Sequence, residues 1–316
     1  MLTPETQILT ILKRGVFPGS WLIIGPYGVG KTTFAKRLCA FLLTGDWEKD
    51  ISTNPDVKWI ERGLTDDAKK DIQKTILAGK AVLENEKNTA RKSAITIDEI
   101  REGLQFLSFK SSATSKRILV IDLADEMNAA AANALLKALE EPPENTIILL
   151  LCENTGKLLP TICSRCRKIT LRPLTMEKLT LKIKELIKDC PDPELLAELS
   201  NGSIGMALKI NETDGINLYQ KINQFLTTAM KIDLEKLNAF ADILNKKDDQ
   251  YFLFKYFVLN WVTRESITRA GHDPKTALAL IELHKELSQL FADVDNLHLD
   301  KKQAIINTFL KIGGAL

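Results

Sequence analysis

Residues 25–32 run Gly-Pro-Tyr-Gly-Val-Gly-Lys-Thr and fit the phosphate-binding loop pattern G-x-x-x-x-G-K-[ST] at every position. Glycines let the backbone N–H groups turn toward phosphate oxygens, and the following helix adds its positive N-terminal end. In this pattern Lys31 is predicted to contact the β- and γ-phosphates of ATP, and the Thr32 hydroxyl is predicted to bind Mg²⁺. The candidate nucleotide-binding residues are Gly25, Gly28, Gly30, Lys31, Thr32, Thr33 and Asp122.

Asp122 follows the apolar run Ile118–Ile121, and an acidic residue at this place holds Mg²⁺ through water in P-loop proteins. The next residue is Leu123, which cannot accept a proton, and we expect Asp125 and Glu126 to lie beyond reach of the γ-phosphate. Loss of a general base costs about 10²–10⁴ in rate. The sequence therefore predicts that the loop binds ATP and that Thr32 and Asp122 hold Mg²⁺. It predicts weak or no intrinsic ATPase activity.

Short apolar runs alternate with helical patterns in the first half of the chain. The runs are Trp21–Ile24, Ile118–Ile121, Ile147–Leu151 and, less apolar, Lys168–Leu171, and an alanine-rich helix is predicted between about 129 and 141. Continuous apolar strands separated by helices indicate a parallel sheet that is covered on both faces. The predicted fold class is α/β.

The pattern becomes wholly helical after Pro173, and it predicts three parts. These are a P-loop nucleotide-binding core over residues 1–172, a small helical lid over residues 173–212 and a C-terminal helical domain over residues 213–316. The core contains a charged segment, about 61–92, with scattered apolar residues, which we interpret as a solvated helical insertion.

The overall charge excludes a strongly basic nucleic-acid-binding protein. The chain has 316 residues with 43 basic and 41 acidic side chains, a net charge of +2, so any contact with DNA must come from a local patch or a partner. No apolar run approaches the roughly 20 residues of a membrane span. The start of the chain lacks the pattern of a secretory signal, and we expect a cytoplasmic protein with no membrane association.

The cysteines and histidines do not form a metal-binding pattern, so we predict no zinc site. Cys163 and Cys166 make a lone C-x-x-C without a second pair or a nearby histidine. Structural or incidental thiols are the favoured interpretation of this pair, and a metal site is the alternative. The five cysteines are expected to be reduced thiols.

Two further segments carry a resemblance to a known family. Residues 133–143 run Asn-Ala-Leu-Leu-Lys-Ala-Leu-Glu-Glu-Pro-Pro, and residues 160–166 run Pro-Thr-Ile-Cys-Ser-Arg-Cys. With the P-loop, these segments resemble the clamp-loader subunits of bacterial DNA polymerase III, which are AAA+ proteins. The resemblance covers about the first two thirds of the chain. It implies an AAA+ core with a helical lid, and a C-terminal domain that joins a collar of several subunits.

The resemblance also implies a role for Arg165. In that family the arginine of Ser-Arg-Cys projects across a subunit interface toward ATP held by the neighbour. A planar guanidinium suits this role, because an arginine finger stabilises the charge on a transferred phosphoryl group and contributes about 10³–10⁵ in rate. A surface salt bridge is the structural alternative for a single arginine.

Within the family, the departures of this sequence distinguish two kinds of subunit. The ATP-hydrolysing gamma/tau subunits carry a glutamate after the aspartate, a four-cysteine zinc module, a lid arginine and a threonine or asparagine sensor. In this sequence Leu123 follows the aspartate, and no cysteine lies between Cys39 and Cys152. Gly205 stands at the place of the lid arginine, and Glu153 stands at the place of the sensor. The phosphate loop and the donated arginine remain, and this combination resembles the delta-prime subunits.

The resemblance implies a hetero-oligomer with gamma/tau and delta subunits, which loads the sliding clamp onto primed DNA. DNA and the clamp are expected to be met within the shared assembly. The alternatives are an independent P-loop ATPase or kinase, a collar protein with a relic P-loop, and an unusual gamma/tau chain. Leu123 disfavours the first, the complete P-loop disfavours the second, and the missing zinc cysteines and the end of the chain at Leu316 disfavour the third.

Overall fold

The computed structural model of the chain describes residues 4–12, 19–63, 92, 94–109, 116–227, 233–297 and 299–315. The chain forms two compact units, Met1–Leu174 and Thr175–Leu316. Most of the charged segment predicted at 61–92 lies outside the described residues. The further division of the second unit near residue 212 stays a prediction.

The first unit is built on a five-stranded parallel sheet with the strand order β2-β3-β4-β1-β5. This sheet confirms the α/β prediction. Its strands are β1 (Ser20–Ile24), β2 (Val57–Ile60), β3 (Arg117–Ile121), β4 (Thr146–Cys152) and β5 (Arg167–Thr170).

Five α-helices accompany the sheet within the described part of this unit, and side-chain caps are present at the start of two of them. Thr96 and Glu99 form a reciprocal capping box, and the Asn128 side chain accepts a hydrogen bond from the Ala131 N–H at 2.9 Å. The helices are α1 (Pro4–Leu12), α2 (Lys31–Thr44), α3 (Ile97–Ser108), α4 (Ala129–Glu140) and α5 (Pro160–Arg165).

Both faces of the three central strands, β3, β4 and β1, are largely buried, and neighbouring residues of these strands alternate between two hydrophobic clusters. In β3, Leu119 and Ile121 pack on the face that α3 and α4 cover, whereas Ile118 and Val120 pack with residues of α1 and α2 on the other face. Successive side chains of a strand point to opposite faces, so a strand in a doubly covered sheet must be apolar throughout. This explains the continuous apolar runs of β3 and β4.

The second unit is helical throughout its described residues. Its core includes Phe309, which is fully buried and packs against the rings of Phe225, Phe240 and Phe254 at centroid distances of 5.3–6.4 Å. The helices are α6 (Met176–Leu186), α7 (Pro193–Leu199), α8 (Ile204–Glu212), α9 (Gly215–Thr227), α10 (Leu234–Leu244), α11 (Asp248–Arg269), α12 (Pro274–Leu297) and α13 (Lys301–Ala315). Every helix in the described part of the chain is too short or too polar to cross a lipid bilayer.

Candidate functional site: a phosphate loop and an arginine at opposite ends of the sheet

The predicted phosphate loop connects the end of β1 to the start of α2. Its backbone needs glycine at two places, because Gly28 and Gly30 have φ angles of 67° and 100°. Space around Gly30 is open, since a Cβ built there would meet no heavy atom within 4 Å. Gly25 is enclosed instead, and a Cβ there would lie 2.8 Å from Val29 Cγ1 and 2.9 Å from the Leu171 carbonyl oxygen.

Lys31 is the first residue of α2, and its side chain turns back into the loop. The residue is only 5% exposed. Its Nζ donates to the carbonyl oxygens of Gly25 and Pro26 at 2.9 and 3.0 Å, and to Glu153 Oε1 at 3.2 Å. An ammonium group has three donors. All three are therefore engaged by oxygen atoms of the chain itself, and one of those oxygens is charged.

The two residues predicted to hold magnesium lie together. The Thr32 hydroxyl donates to Asp122 Oδ2 at 3.1 Å. Burial raises the pKa of the Asp122 carboxyl, and the hydrogen bond from Thr32 acts in the opposite direction. Thr33 is exposed in the first turn of α2. A hydroxyl and a carboxylate at this distance are hard oxygen donors of the kind that Mg²⁺ takes alongside phosphate oxygens.

These residues fit a nucleotide. The open space at Gly30, the helix start and the Thr32–Asp122 pair suit a Mg²⁺-bound polyphosphate. Bound Mg²⁺ would neutralise phosphate charge there, and Lys31 would supply the positive side chain. Because Lys31 already binds Glu153, its ammonium is available to a phosphate only if that contact is shared or broken.

Residues 123–126 do not direct a carboxylate at the phosphate loop. Leu123 stands next to Asp122 in the left-handed region, with φ at 56°. The Asp125 carboxylate accepts hydrogen bonds from the backbone N–H groups of Glu153 and Asn154 at 3.2 and 3.0 Å. Glu126 forms an ion pair with Arg62 at 2.8 Å. Asp125 and Glu126 thus serve local contacts, which agrees with the expectation that neither activates a water.

Glu153 is the residue whose contact the sequence did not reveal. It comes directly after β4, which lies between β3 and β1, so its side chain stands between Asp122 and the phosphate loop. Burial raises the pKa of the Glu153 carboxyl, whereas the charge of Lys31 lowers it. The sequence did contain one signal, because Glu153 follows its strand as Asp122 follows β3.

Arg165 is the last residue of α5, and its guanidinium is bound to this chain's own Glu140. Its Nε donates to Glu140 Oε1 at 2.8 Å, and its Nη2 forms a short contact with the same oxygen. Its Nη1 donates to the Thr161 carbonyl oxygen at 3.0 Å. The Arg165 side chain keeps about a third of its surface exposed. The arginine is thus oriented but accessible.

Strand register places Arg165 and the phosphate loop at opposite ends of the sheet. In the parallel pair β1–β5, Trp21 lies opposite Arg167 and Ile24 lies opposite Thr170. The loop begins directly after Ile24, at the carboxyl ends, whereas Arg165 comes two residues before Arg167, at the amino ends. Three strand steps span about 10 Å. Arg165 therefore lies at the opposite end of the sheet from the site that Lys31 helps to form.

The cysteines form no metal centre in the described part of the chain, where no group of three or more His, Cys, Asp or Glu side chains could hold an ion. Cys166 is buried, and burial raises the pKa of its thiol to about 12. Such a thiol is protonated at neutral pH, and only the thiolate is a good metal ligand or nucleophile. Cys163 is partly buried and packs against the cluster that contains Cys166.

Comparison with known proteins gives matches to subunits of DNA polymerase III. Residues 4–175 match the family model described as "DNA polymerase III, delta subunit". The gamma subunit of DNA polymerase III from Buchnera aphidicola subsp. Acyrthosiphon pisum is 29% identical over 229 residues, which are 68% of this chain and 57% of that protein. The delta' subunit from Pseudomonas aeruginosa is 27% identical over 226 residues, which are 70% of this chain and 63% of that protein.

A solved structure of a gamma subunit-related protein from Thermotoga maritima aligns over 97% of this chain and 99% of that chain, with 20% identity and a TM-score of 0.46. The matched region spans 31–63% of the length of the relatives first found. The family model, by contrast, covers more than half of the present chain. The chain therefore belongs to the family of DNA polymerase III clamp-loader subunits.

Proposed function

We propose that this chain acts as a delta-prime-like subunit of a clamp loader, in which it donates Arg165 to ATP held by a neighbouring gamma/tau subunit. With gamma/tau and delta subunits it would open the sliding clamp and close it on primed DNA. The C-terminal helical domain would join the collar of the assembly. Any contact with DNA would be made within the shared chamber.

The position of Arg165 is the observation that carries this proposal. The arginine lies at the amino ends of the strands, whereas its own phosphate loop lies at the carboxyl ends. A guanidinium that cannot reach the phosphates of its own chain can act on a phosphoryl group only if another subunit brings one. The fixed, partly exposed orientation through Glu140 suits such a donated group.

The residues around the phosphate loop support a subunit that binds nucleotide and contributes to hydrolysis at a neighbouring subunit. Lys31, Thr32 and Asp122 can hold a Mg²⁺-bound nucleotide, while Leu123 offers no proton acceptor beside Asp122. Asp125 and Glu126 are engaged elsewhere. Nucleotide bound here would stabilise the shape of the subunit, and its hydrolysis would be weak or absent.

Assembly is the first test of this proposal. The full chain would be mixed with purified gamma/tau and delta subunits, and complexes would be measured by sedimentation velocity. We expect a single hetero-oligomer containing this chain, and we expect clamp loading on primed DNA that requires it. If the chain stays apart from both subunits at micromolar concentration, or hydrolyses ATP rapidly alone, the proposal is wrong and an independent P-loop enzyme replaces it.

A further inference from the structure

The contacts of Lys31 contain one group that a phosphate loop does not need. Two of its three acceptors are backbone carbonyls of the loop, which are neutral. The third is the carboxylate of Glu153, a residue 122 positions further along the chain. A negative charge therefore already stands against the cation that would bind phosphate oxygens.

Glu153 is held in place by more than this ion pair. Its backbone N–H donates to Asp125 Oδ1, and the N–H of Asn154 donates to Asp125 Oδ2. The residue also follows β4, a strand whose seven residues are all buried. These contacts fix the backbone from which the Glu153 side chain reaches Lys31.

We propose that Glu153 is a specificity-determining residue, whose carboxylate takes the place of a γ-phosphate beside Lys31, so that the site prefers a nucleoside diphosphate to a triphosphate. This inference rests on the nucleotide-binding part of the proposed function. It assigns to Glu153 a role in choosing the ligand, separate from the role of Arg165 in the neighbouring site.

The preference for a diphosphate follows from the position of the Glu153 carboxylate beside Lys31. Lys31 is expected to contact both phosphates, but a β-phosphate is also held by the backbone N–H groups of the loop and by the start of α2, so competition from Glu153 removes a smaller share of its contacts. A γ-phosphate would have to share Lys31 with Glu153, and two anions at one cation in a partly buried site repel each other. Asp122 and Asp125 add further negative charge nearby, as their effect on the pKa of Glu153 shows.

Direct binding of MgATP and MgADP to the full chain tests the inference by titration calorimetry. For the wild-type protein we expect MgADP to bind about tenfold or more tightly than MgATP. Glu153→Gln keeps the size of the side chain and removes its charge, and it should strengthen MgATP binding about tenfold while MgADP changes less than about threefold. Glu102→Gln is the matched control, because Glu102 also pairs with a lysine, Lys58 at 2.5 Å, but on the exposed surface.

The ratio of the MgADP and MgATP affinities decides whether Glu153 sets the nucleotide preference. Equal binding of the two nucleotides by the wild-type chain, or an equal change for both in Glu153→Gln, would overturn the inference. Absence of binding to wild type and variant alike would overturn it too, together with nucleotide binding at this loop. Assembly with gamma/tau and delta, measured on the same preparations, shows separately whether the subunit role stands.

Discussion

Two charged contacts, Lys31–Glu153 and Arg165–Glu140, hold the two cationic side chains that we propose act on phosphate. The first places a carboxylate on the lysine of the phosphate loop, and the second fixes an arginine at the other end of the sheet. Neither contact joins residues that are close in the sequence. The first depends on the strand ends that the sheet brings together, and the second depends on the packing of α4 against α5.

Removal of Glu140 tests whether it positions Arg165. In Glu140→Ala the guanidinium loses its carboxylate partner, so we expect the ATPase kcat of the assembled complex to fall about three- to tenfold, less than in Arg165→Ala. The KM for ATP should stay unchanged, because the arginine acts in the neighbour's transition state. The pair is exposed and contributes at most about 1 kcal/mol to stability, so the complex should remain intact.

The matched control is Asp98→Ala, which removes an exposed carboxylate from the Arg101 pair. It should leave kcat unaltered. Our interpretation of Glu140 would be contradicted if Glu140→Ala had full kcat, or if Glu140→Asp restored nothing while the complex assembled normally.

At the scale of elements, α3 is held close to the sheet by a glycine. Gly103 is buried, and a Cβ there would lie 2.4 Å from Ile60 Cδ1 and 2.9 Å from Leu119 Cδ1. Gly103→Ala should therefore destabilise the protein by about 1–3 kcal/mol through overpacking, although alanine is the better helix former. Chemical denaturation measures this difference. The control is Gln105→Ala, an exposed position in the same helix, which should change stability by less than about 0.5 kcal/mol. A Gly103→Ala protein as stable as the wild type would contradict the close packing of α3.

The elements also show what could be predicted from the sequence. The strands β1, β3 and β4 were predicted because burial on both faces makes them continuously apolar. The strand β2 was not, since it contains Lys58 and lies at the edge of the sheet, where its first three residues are only half buried. The short helices α1 and α5 were also not predicted as elements.

Some features of the candidate site could likewise be predicted from the sequence, and others could not. The phosphate loop is a local pattern, so its residues could be named from the sequence alone. The contact of Lys31 with Glu153 joins two strand ends, and it could be found only once β4 was known to lie between β3 and β1. Arg165 was named through the family resemblance, but its partner Glu140 became visible only with the packing of α4 against α5, and its position away from the loop only with the strand register.

At the scale of the whole molecule, we propose that the chain supplies only part of a catalytic apparatus that several subunits share. It has a phosphate loop without a neighbouring general base, and an arginine that its own loop does not use. Its near-neutral charge gives no general attraction to DNA. The missing parts are those that neighbouring subunits of a clamp loader would supply, and this makes the assembled complex the right object for measurement.

The ATPase rate of the complex reconstituted with gamma/tau and delta, stimulated by primed DNA and the clamp, tests the central claim most directly. We expect Arg165→Ala to assemble normally and to lower this rate severely at the site it serves, because an arginine finger contributes about 10³–10⁵ in rate. Arg101→Ala, which removes an exposed arginine of α3, should hydrolyse ATP at the wild-type rate. A complex with Arg165→Ala that assembles and hydrolyses ATP as fast as wild type would contradict the donation of Arg165 to a neighbour.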